Sequence, residues 1–398
     1  MLTASFGPGR MTGSDRGADM APASASPVRR IALVGPGWRS LVRLRGDLIA
    51  ALIERRHRVL CLAPSGQSPN CDFAQRLEAL GAECTSFPFE PDRFRPLADG
   101  RTVIALARRL AGWRAHVVLG YQPKPMLLGA LAGRRARVAR VVTLVSALGP
   151  ELGGADPPQW PWRPLLRAGF AASHQVVFHN HADVQRLRAL DLLPEKAAVT
   201  VVPGAGVDLE RHAAQPLPPA NRGITFLMLA SLQREKGVLA FCAAARQVRA
   251  WRPDARFILA GPQGTGLGAV SSAELADYAG CIEVRGDHDD VRPLFAEAHV
   301  VVLPSVREGM ARTLLEALAN GRPVITTNVP GCRETVDELV NGILVPPQDA
   351  DALAAAMQHL IERRTLLKQM ALASRRKAER LFDVRHVNGA LMSAMGVN

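Results

Sequence analysis

The chain has 398 residues, 48% hydrophobic, 5% aromatic and 21% charged, an apolar content that fills cores and excludes wholesale disorder. At roughly 100–200 residues per domain, this length implies two domains. The net charge of +13 points to an anionic partner: nucleic acid, a membrane surface or a phosphorylated substrate. Residues 1–203 hold 27 Lys and Arg against 15 Asp and Glu, whereas residues 204–398 hold 22 against 21, so the excess belongs to the first half. Only five of the 49 cations are lysines. Arginine grips phosphate in a bidentate way, although coding bias produces the same surplus. The six cysteines (Cys61, Cys71, Cys84, Cys242, Cys281, Cys332) form no CxxC pair and no zinc-type cluster, so they read as buried free thiols of a reducing compartment. No apolar run reaches the ~18 residues of a membrane span.

Residues 1–29, rich in Gly, Ser, Ala, Pro and Asp, lack the apolar segment of a signal peptide and read as a disordered tail, with Met11 and Met20 as alternative starts. Ile31–Val34 is the first strand. Gly35-Pro36-Gly37 turns the chain into a helix from Ser40 to Arg56, and Arg58–Leu62 is the next strand. Further strands fall at Val117–Leu119, Val141–Val145, Gln175–Phe178 and Val199–Val202. Helices lie between them at Thr102–Trp113, Met126–Gly133, Pro164–Ala172 and Ala182–Leu190. Continuous apolar strands alternating with amphipathic helices specify a parallel sheet covered on both faces. After Pro203-Gly204 and a linker-like stretch at 212–223, the rhythm restarts with strands at Ile224–Ala230, Arg256–Ala260, Ile282–Val284, Val300–Leu303, Pro323–Thr326 and Ile343–Val345. Helices at 238–251, 290–297, 312–320 and 349–363 separate them, and basic helices follow from Arg364.

The resulting fold class is α/β: two doubly wound, Rossmann-like parallel-sheet domains facing a cleft. The expected organisation is a tail at 1–29, an N-terminal Rossmann-like domain at 30–203 and a C-terminal Rossmann-like domain at 204–380. A C-terminal helix at 381–398 is expected to pack back on the N-terminal domain. Ligands bind outside the carboxyl ends of parallel strands, so two facing sheets suit a donor on one side and an acceptor on the other.

Three constellations carry chemistry. Glu308-Gly-Met-Ala-Arg-Thr-Leu-Leu-Glu316 runs from a strand end into a helix. The amides of Gly309 to Thr313 therefore lie at a helix N-terminus, a donor array suited to a diphosphate, with an acid on each side for hydroxyls. Taken alone, the segment equally fits a surface helix with acids in its first turns. Ser231-Leu-Gln-Arg234-Glu-Lys236-Gly237 follows the first strand of the second half, where Arg234 and Lys236 can neutralise a leaving diphosphate; alone it also fits a solvated turn. Gly35-Pro-Gly37 is half of a dinucleotide fingerprint. The GxGxxG pattern is not completed, because position 40 is Ser, so a nicotinamide site is not expected.

With Ala260-Gly-Pro262, Gly321-Arg-Pro-Val-Ile-Thr-Thr, Pro330-Gly331 and Asn341-Gly-Ile-Leu-Val345, these motifs make residues 223–363 resemble the retaining glycosyltransferases of family 4, whose fold is GT-B. Arg45-Gly46, Tyr121-Gln-Pro-Lys124-Pro125 with Gly129, and Val177-Phe-His-Asn180 with Asp183 resemble the branch acting on polyprenyl-diphosphate-linked sugars. The resemblance implies that Glu308 sits by the transferred sugar as the catalytic acid group, with Lys236 on the donor phosphates. It implies that Glu316 holds the ribose hydroxyls, and that amides of Gly309, Met310, Ala311, Thr313 and Leu314 hold the diphosphate or sugar. Gly37 lies by the diphosphate, Gly286 near the base, and Ser231 and Arg234 by the phosphates. Arg45, Tyr121, Lys124, Ser146 and Asn180 are the acceptor-side candidates.

Two positions depart from the family pattern. Ser231 stands where Arg is usual, and the loop after Val141–Val145 reads Ser146-Ala-Leu-Gly149 where many members carry a His.

What the resemblance implies is transfer of a hexose or N-acetylhexosamine from a nucleotide-diphosphate sugar, UDP-linked, to a lipid-linked saccharide in capsule, exopolysaccharide, O-antigen or glycan assembly. No metal or other cofactor is expected. The expected partners are the nucleotide sugar, a polyprenyl-diphosphate-linked saccharide and an anionic inner-membrane surface, which places the chain in the cytoplasm, peripherally on the inner face. The segment Trp160–Phe170 mixes aromatics and arginines and reads as a membrane-interface or core helix. His174, His179 and His181 lack ligand spacing. A soluble acceptor is the alternative. Nucleic-acid binding is disfavoured by sparse aromatics and the lack of a binding module.

Overall fold

The computed structural model describes residues 27–66, 71–90, 95–148, 162–219 and 223–397. Most of the expected tail, and the start of the Trp160–Phe170 segment, fall outside these. Among the described residues the strands form two all-parallel sheets. In chain order they are β1 (Arg30–Val34), β2 (Arg58–Pro64), β3 (Glu83–Phe87), β4 (Val117–Tyr121), β5 (Arg140–Val145), β6 (Gln175–Phe178) and β7 (Val199–Val201), then β8 (Thr225–Leu229), β9 (Arg256–Ala260), β10 (Glu283–Arg285), β11 (Val300–Leu303), β12 (Val324–Thr327) and β13 (Gly342–Val345). The first sheet has the order β3-β2-β1-β4-β5-β6-β7 and the second β10-β9-β8-β11-β12-β13. Every residue of β4, β8 and β11 is buried, as central strands covered on both faces must be.

The first sheet carries α1 (Trp38–Glu54), α2 (Asp72–Ala79), α3 (Pro96–Gly112), α4 (Pro123–Arg135), α5 (Trp162–Ala172) and α6 (His181–Ala189). The second carries α7 (Val238–Trp251), α8 (Ser272–Ala276), α9 (Arg292–Glu297), α10 (Arg312–Ala319) and α11 (Ala350–Glu362), followed by α12 (Thr365–Lys377) and α13 (Val384–Met395). Neither the five-residue α8 nor the pair α2 and β3 stands out in the sequence. Helix α2 buries only Ala74 and Leu77, and the edge strand β3 is half-buried and polar (Glu83, Thr85, Ser86), so neither shows a strong apolar period. Helices α3 and α4 begin earlier than expected, at Pro96 and Pro123, because proline in the first turn supplies the helical φ and lacks the amide that would go unpaired there.

Strand order reverses between β1 and β4 and again between β8 and β11. The crevices outside these strand ends are where an open α/β sheet binds ligands. The chain passes between the two units twice. Near Gly206 the outgoing strand and the incoming C-terminal segment pair as a short bridge, Val207 with Asp383. Beyond it, α13 contributes Val387, Leu391, Met392 and Met395 to the core of the first unit, and Arg140 donates to the Ala394 carbonyl at 2.8 Å. Fully buried Arg322 secures the first crossing by donating to the carbonyls of Gln215, Pro216 and Phe295.

Candidate functional site

The ends of β8 and β11 place Ser231–Gly237 beside Pro304–Glu308, so two motifs 70 residues apart meet at the switch point of the second sheet. Lys236 Nζ donates to Glu308 Oε1 at 2.7 Å, and Ser305 Oγ donates to the same oxygen at 2.9 Å. Burial alone would lower the Lys236 pKa, but the Glu308 carboxylate outweighs it and the ammonium is held above its ordinary range. Gly237 closes this corner with a left-handed φ of 78°, and a β-carbon there would lie 2.2 Å from the Pro304 carbonyl oxygen.

The amide array is more committed than the sequence implies. Ala311 N donates to the Gly331 carbonyl (3.0 Å) and Leu314 N to the Ala311 carbonyl (3.0 Å). Arg312 and Thr313 open α10, where amides have no preceding turn to meet. The Thr313 hydroxyl donates to the Leu229 carbonyl at 3.0 Å and ties α10 to the end of β8. One turn on, Glu316 accepts from Arg312 Nε at 2.7 Å, and His212 Nε2 lies 3.9 Å from the same carboxylate oxygen. Asn320 orients that imidazole through Nδ1 (3.0 Å).

A cavity of about 320 Å³ lies between the two units. The second unit lines it with Ser231, Gly261, Pro262, Asp287, Arg312, Thr313 and Glu316; α1 of the first lines it with Arg43, Leu44 and Asp47. Lys236 and Glu308 are not among the residues that line it. Arg39 pairs with Asp287, and Arg43 reaches Asp289 at 3.3 Å, closing the cavity over Gly286 and its loop. Arg234 is turned outward to Glu274, within a capping box at Ser271.

The first unit meets the motif at Gly309. Its backbone packs so closely on Ser146 that a β-carbon would lie 1.4 Å from the Ser146 carbonyl oxygen. Asn180 caps α6 through the Asp183 amide and donates Nδ2 to the Gly309 carbonyl at 2.8 Å. Asp183 accepts from Arg307 at 3.1 Å. Gly37 opens α1, and Tyr121, fully buried against Gly35, donates to Ser40 Oγ at 3.1 Å. Arg45 is buried beside Tyr121. Lys124 points elsewhere: it is buried against Asp99 (2.8 Å) and donates to the Glu90 carbonyl, an internal ion pair. Met310 lies against Gly204 at the crossing between the units. Arg39, Arg43, Arg307, the pairing of Asp183 with Arg307, and His212 carry no motif that marks them in the sequence. The four-residue spacing of Arg39 and Arg43 put both on one helix face, but nothing in the sequence gave them partners 246 to 248 residues away.

Residues 41–205 match the family model described as a glycosyl transferase 4-like domain, and residues 223–363 match glycosyl transferases group 1. The N,N'-diacetylbacillosaminyl-diphospho-undecaprenol alpha-1,3-N-acetylgalactosaminyltransferase of Campylobacter jejuni is 23% identical over 357 residues, 86% of this chain and 92% of the relative. The UDP-Gal:alpha-D-GlcNAc-diphosphoundecaprenol alpha-1,3-galactosyltransferase of Escherichia coli is 25% identical over 292 residues, 68% of this chain and 72% of the relative. Among solved structures, Anabaena Alr3699/HepE in complex with UDP superposes with a TM-score of 0.73 at 19% identity, covering 93% of this chain and 100% of that one. Sucrose-phosphate synthase from Thermosynechococcus elongatus superposes with a TM-score of 0.74 at 19% identity, covering 92% and 98%. These two likenesses show the fold, two Rossmann-like domains about a cleft.

Proposed function

Because the chain belongs to the glycosyltransferases that join a glycosyl transferase 4-like domain to a group 1 domain, we propose that it transfers a hexose or N-acetylhexosamine from a UDP-sugar to a polyprenyl-diphosphate-linked saccharide. The observation that carries the donor side is the convergence of Lys236, Glu308 and the open end of α10 at one switch point, with Glu316 one turn further on. The donor's diphosphate lies on the Arg312 and Thr313 amides, the ribose hydroxyls bond Glu316, and the base lies toward Gly286. Breaking the sugar–phosphate bond leaves its electron pair on the phosphate, where Lys236, Arg312 and the helix amides stabilise it. The acceptor oxygen bonds the anomeric carbon on the same face, and its proton passes to the departing phosphate oxygen. Glu308 orients the sugar hydroxyls and balances charge developing on the ring. The ammonium and guanidinium supply the charge a metal would otherwise bring, so the transfer needs no metal, and attack from the face the phosphate leaves retains the anomeric configuration.

The lipid-linked acceptor is drawn from the named acceptors of the two transferases above and from the first domain's surplus of cations. No helix among the described residues is long and apolar enough to cross a membrane. On α3, however, Leu97 (84% exposed), Arg101, Ile104 and Arg108 share one exposed face. That arrangement suits peripheral binding to anionic lipid at the cytoplasmic face of the inner membrane. The decisive experiment offers a panel of radiolabelled nucleotide sugars to the protein with membrane extract, with and without EDTA. Transfer of one UDP-sugar to extractable lipid, undiminished by EDTA and with the anomeric configuration kept, is the expected result. Failure of every nucleotide sugar to react would refute the reading. Vesicle sedimentation should show binding to anionic lipid that high salt reverses; indifference to lipid charge would remove the membrane part.

A further inference from the structure

The core-facing stripe of α1 reads Leu41, Arg45, Leu48, Ile49, Leu52, so a guanidinium occupies a position where the helical period calls for an apolar side chain. Arg45 is 3% exposed, and its guanidinium carbon lies 5.2 Å from the centre of the Tyr121 ring. Among the described residues no carboxylate pairs with it, and its buried Nε has no hydrogen-bond partner. Burial lowers its pKa only to about 10, so it stays charged at neutral pH. A buried cation with no counter-charge is strongly unfavourable unless something completes it.

Its surroundings indicate what does. Tyr121 ends β4, Ser146 follows β5 and His179 follows β6, so the group stands at the carboxyl edge of the first sheet, the edge that binds ligands. Ser146 Oγ is also buried without a partner among the described residues. His179 bonds the Ser146 backbone, and burial together with the Arg45 charge keeps its imidazole neutral, with a pKa pushed down to about 3. From across the seam the charge of Arg312 adds to the same positive field, and Gly309 closes over Ser146. Two orphan donors and two cations thus converge where the domains meet.

We infer that Arg45 and Ser146 form an oxyanion subsite at the carboxyl edge of the first domain, enclosed on domain closure, and that it takes a phosphate oxygen of a diphosphate. The inference deepens the proposed transfer, in which donor and acceptor each carry that group. It is tested by calorimetric titration of wild type, Arg45→Met, Arg45→Lys and Ser146→Ala with inorganic pyrophosphate, UDP and farnesyl diphosphate. Arg45→Met is expected to bind pyrophosphate about tenfold or more weakly, with Arg45→Lys between, because an ammonium lacks the planar fork. The ligand-free melting temperature of Arg45→Met should be equal to or above that of wild type, since a buried unpaired charge is removed. Weakening of UDP identifies the donor's diphosphate, and weakening of farnesyl diphosphate identifies the acceptor's. Equal affinities of wild type and Arg45→Met for all three, or no binding by wild type, overturn the subsite. A lower melting temperature with unchanged affinities overturns it too, by making Arg45 structural. Arg45-dependent pyrophosphate binding in a protein that transfers no sugar would keep the subsite and discard the proposed reaction.

Discussion

The two domains share a strand order but treat charge at the cleft in opposite ways. In the second domain four cations beside the motif are neutralised within the domain, Lys236 by Glu308, Arg312 by Glu316, Arg234 by Glu274 and Arg285 by Glu297, and Arg307 reaches across the seam, to Asp183. In the first, Arg39 and Arg43 find their carboxylates only across the seam, Asp183 finds its cation there, and Arg45 finds none among the described residues. The second domain thus pairs four of its cations beside the motif internally, whereas the first relies on its neighbour for the partners of Arg39, Arg43 and Asp183. A fold used twice does not impose one electrostatic design.

The sharpest way to break this comparison is to remove a cation from the self-paired side. Lys236→Met leaves Glu308 without its counter-charge and the leaving diphosphate without its ammonium. Turnover should fall about 10²–10³-fold, the usual loss when one preorganised charge donor is removed. Initial rates at saturating donor measure it, and near-wild-type turnover would dissolve the assignment.

Next in size is the seam itself. Gly309→Ala puts a methyl where the Ser146 carbonyl already lies, so the domains cannot close as they do here. A displacement of about 1 Å at a reacting centre costs about 10²-fold in rate. The melting temperature should hardly move, since each core is untouched, and small-angle scattering should report a larger radius.

The third expectation concerns pH. His179, pushed down to about 3, and His299, pushed down to about 4, are both neutral in the fold chiefly through burial. In the unfolded chain each titrates near 6.5. Their stabilising contribution is therefore full above that value and is lost as pH falls toward the folded values. At pH 5 the loss from His179 alone is about 2 kcal/mol. Thermal melts from pH 7.5 to 5 should show the decline, and His179→Gln should flatten it; an equally steep decline in that variant would shift the effect to other groups.

The smallest effect belongs to the exposed cross-seam pairs. Arg39→Ala with Arg43→Ala should raise the donor KM only two- to threefold, about 0.4–0.7 kcal/mol, within the usual range for solvent-exposed ion pairs. High salt should erase the difference; a large, salt-resistant loss would mean that these arginines touch substrate.

Much of the fold was legible because its strands are continuous apolar runs and its helices strongly amphipathic. The elements that escaped are α2 and β3, which are shallowly buried edge pieces, and α8, which is only five residues long. The site was legible where a motif lies at a strand-to-helix junction, as at Ser231–Gly237 and Glu308–Glu316. It was not legible where contacts join residues far apart in the chain: Lys124 turned out to hold Asp99, and Asn180 to hold the Gly309 backbone.

Two doubly wound domains, the strand ends at which their loops meet, and the half that carries the positive charge all follow from the order of residues alone. Apolar periodicity and junction chemistry are local properties, written in neighbouring residues. Which amides of α10 are already spent, which arginines have partners, and that Arg45 lies buried at a strand-end edge without a counter-ion among the described residues emerge only from the folded arrangement. Those outcomes depend on distance and desolvation between residues that the fold alone brings together.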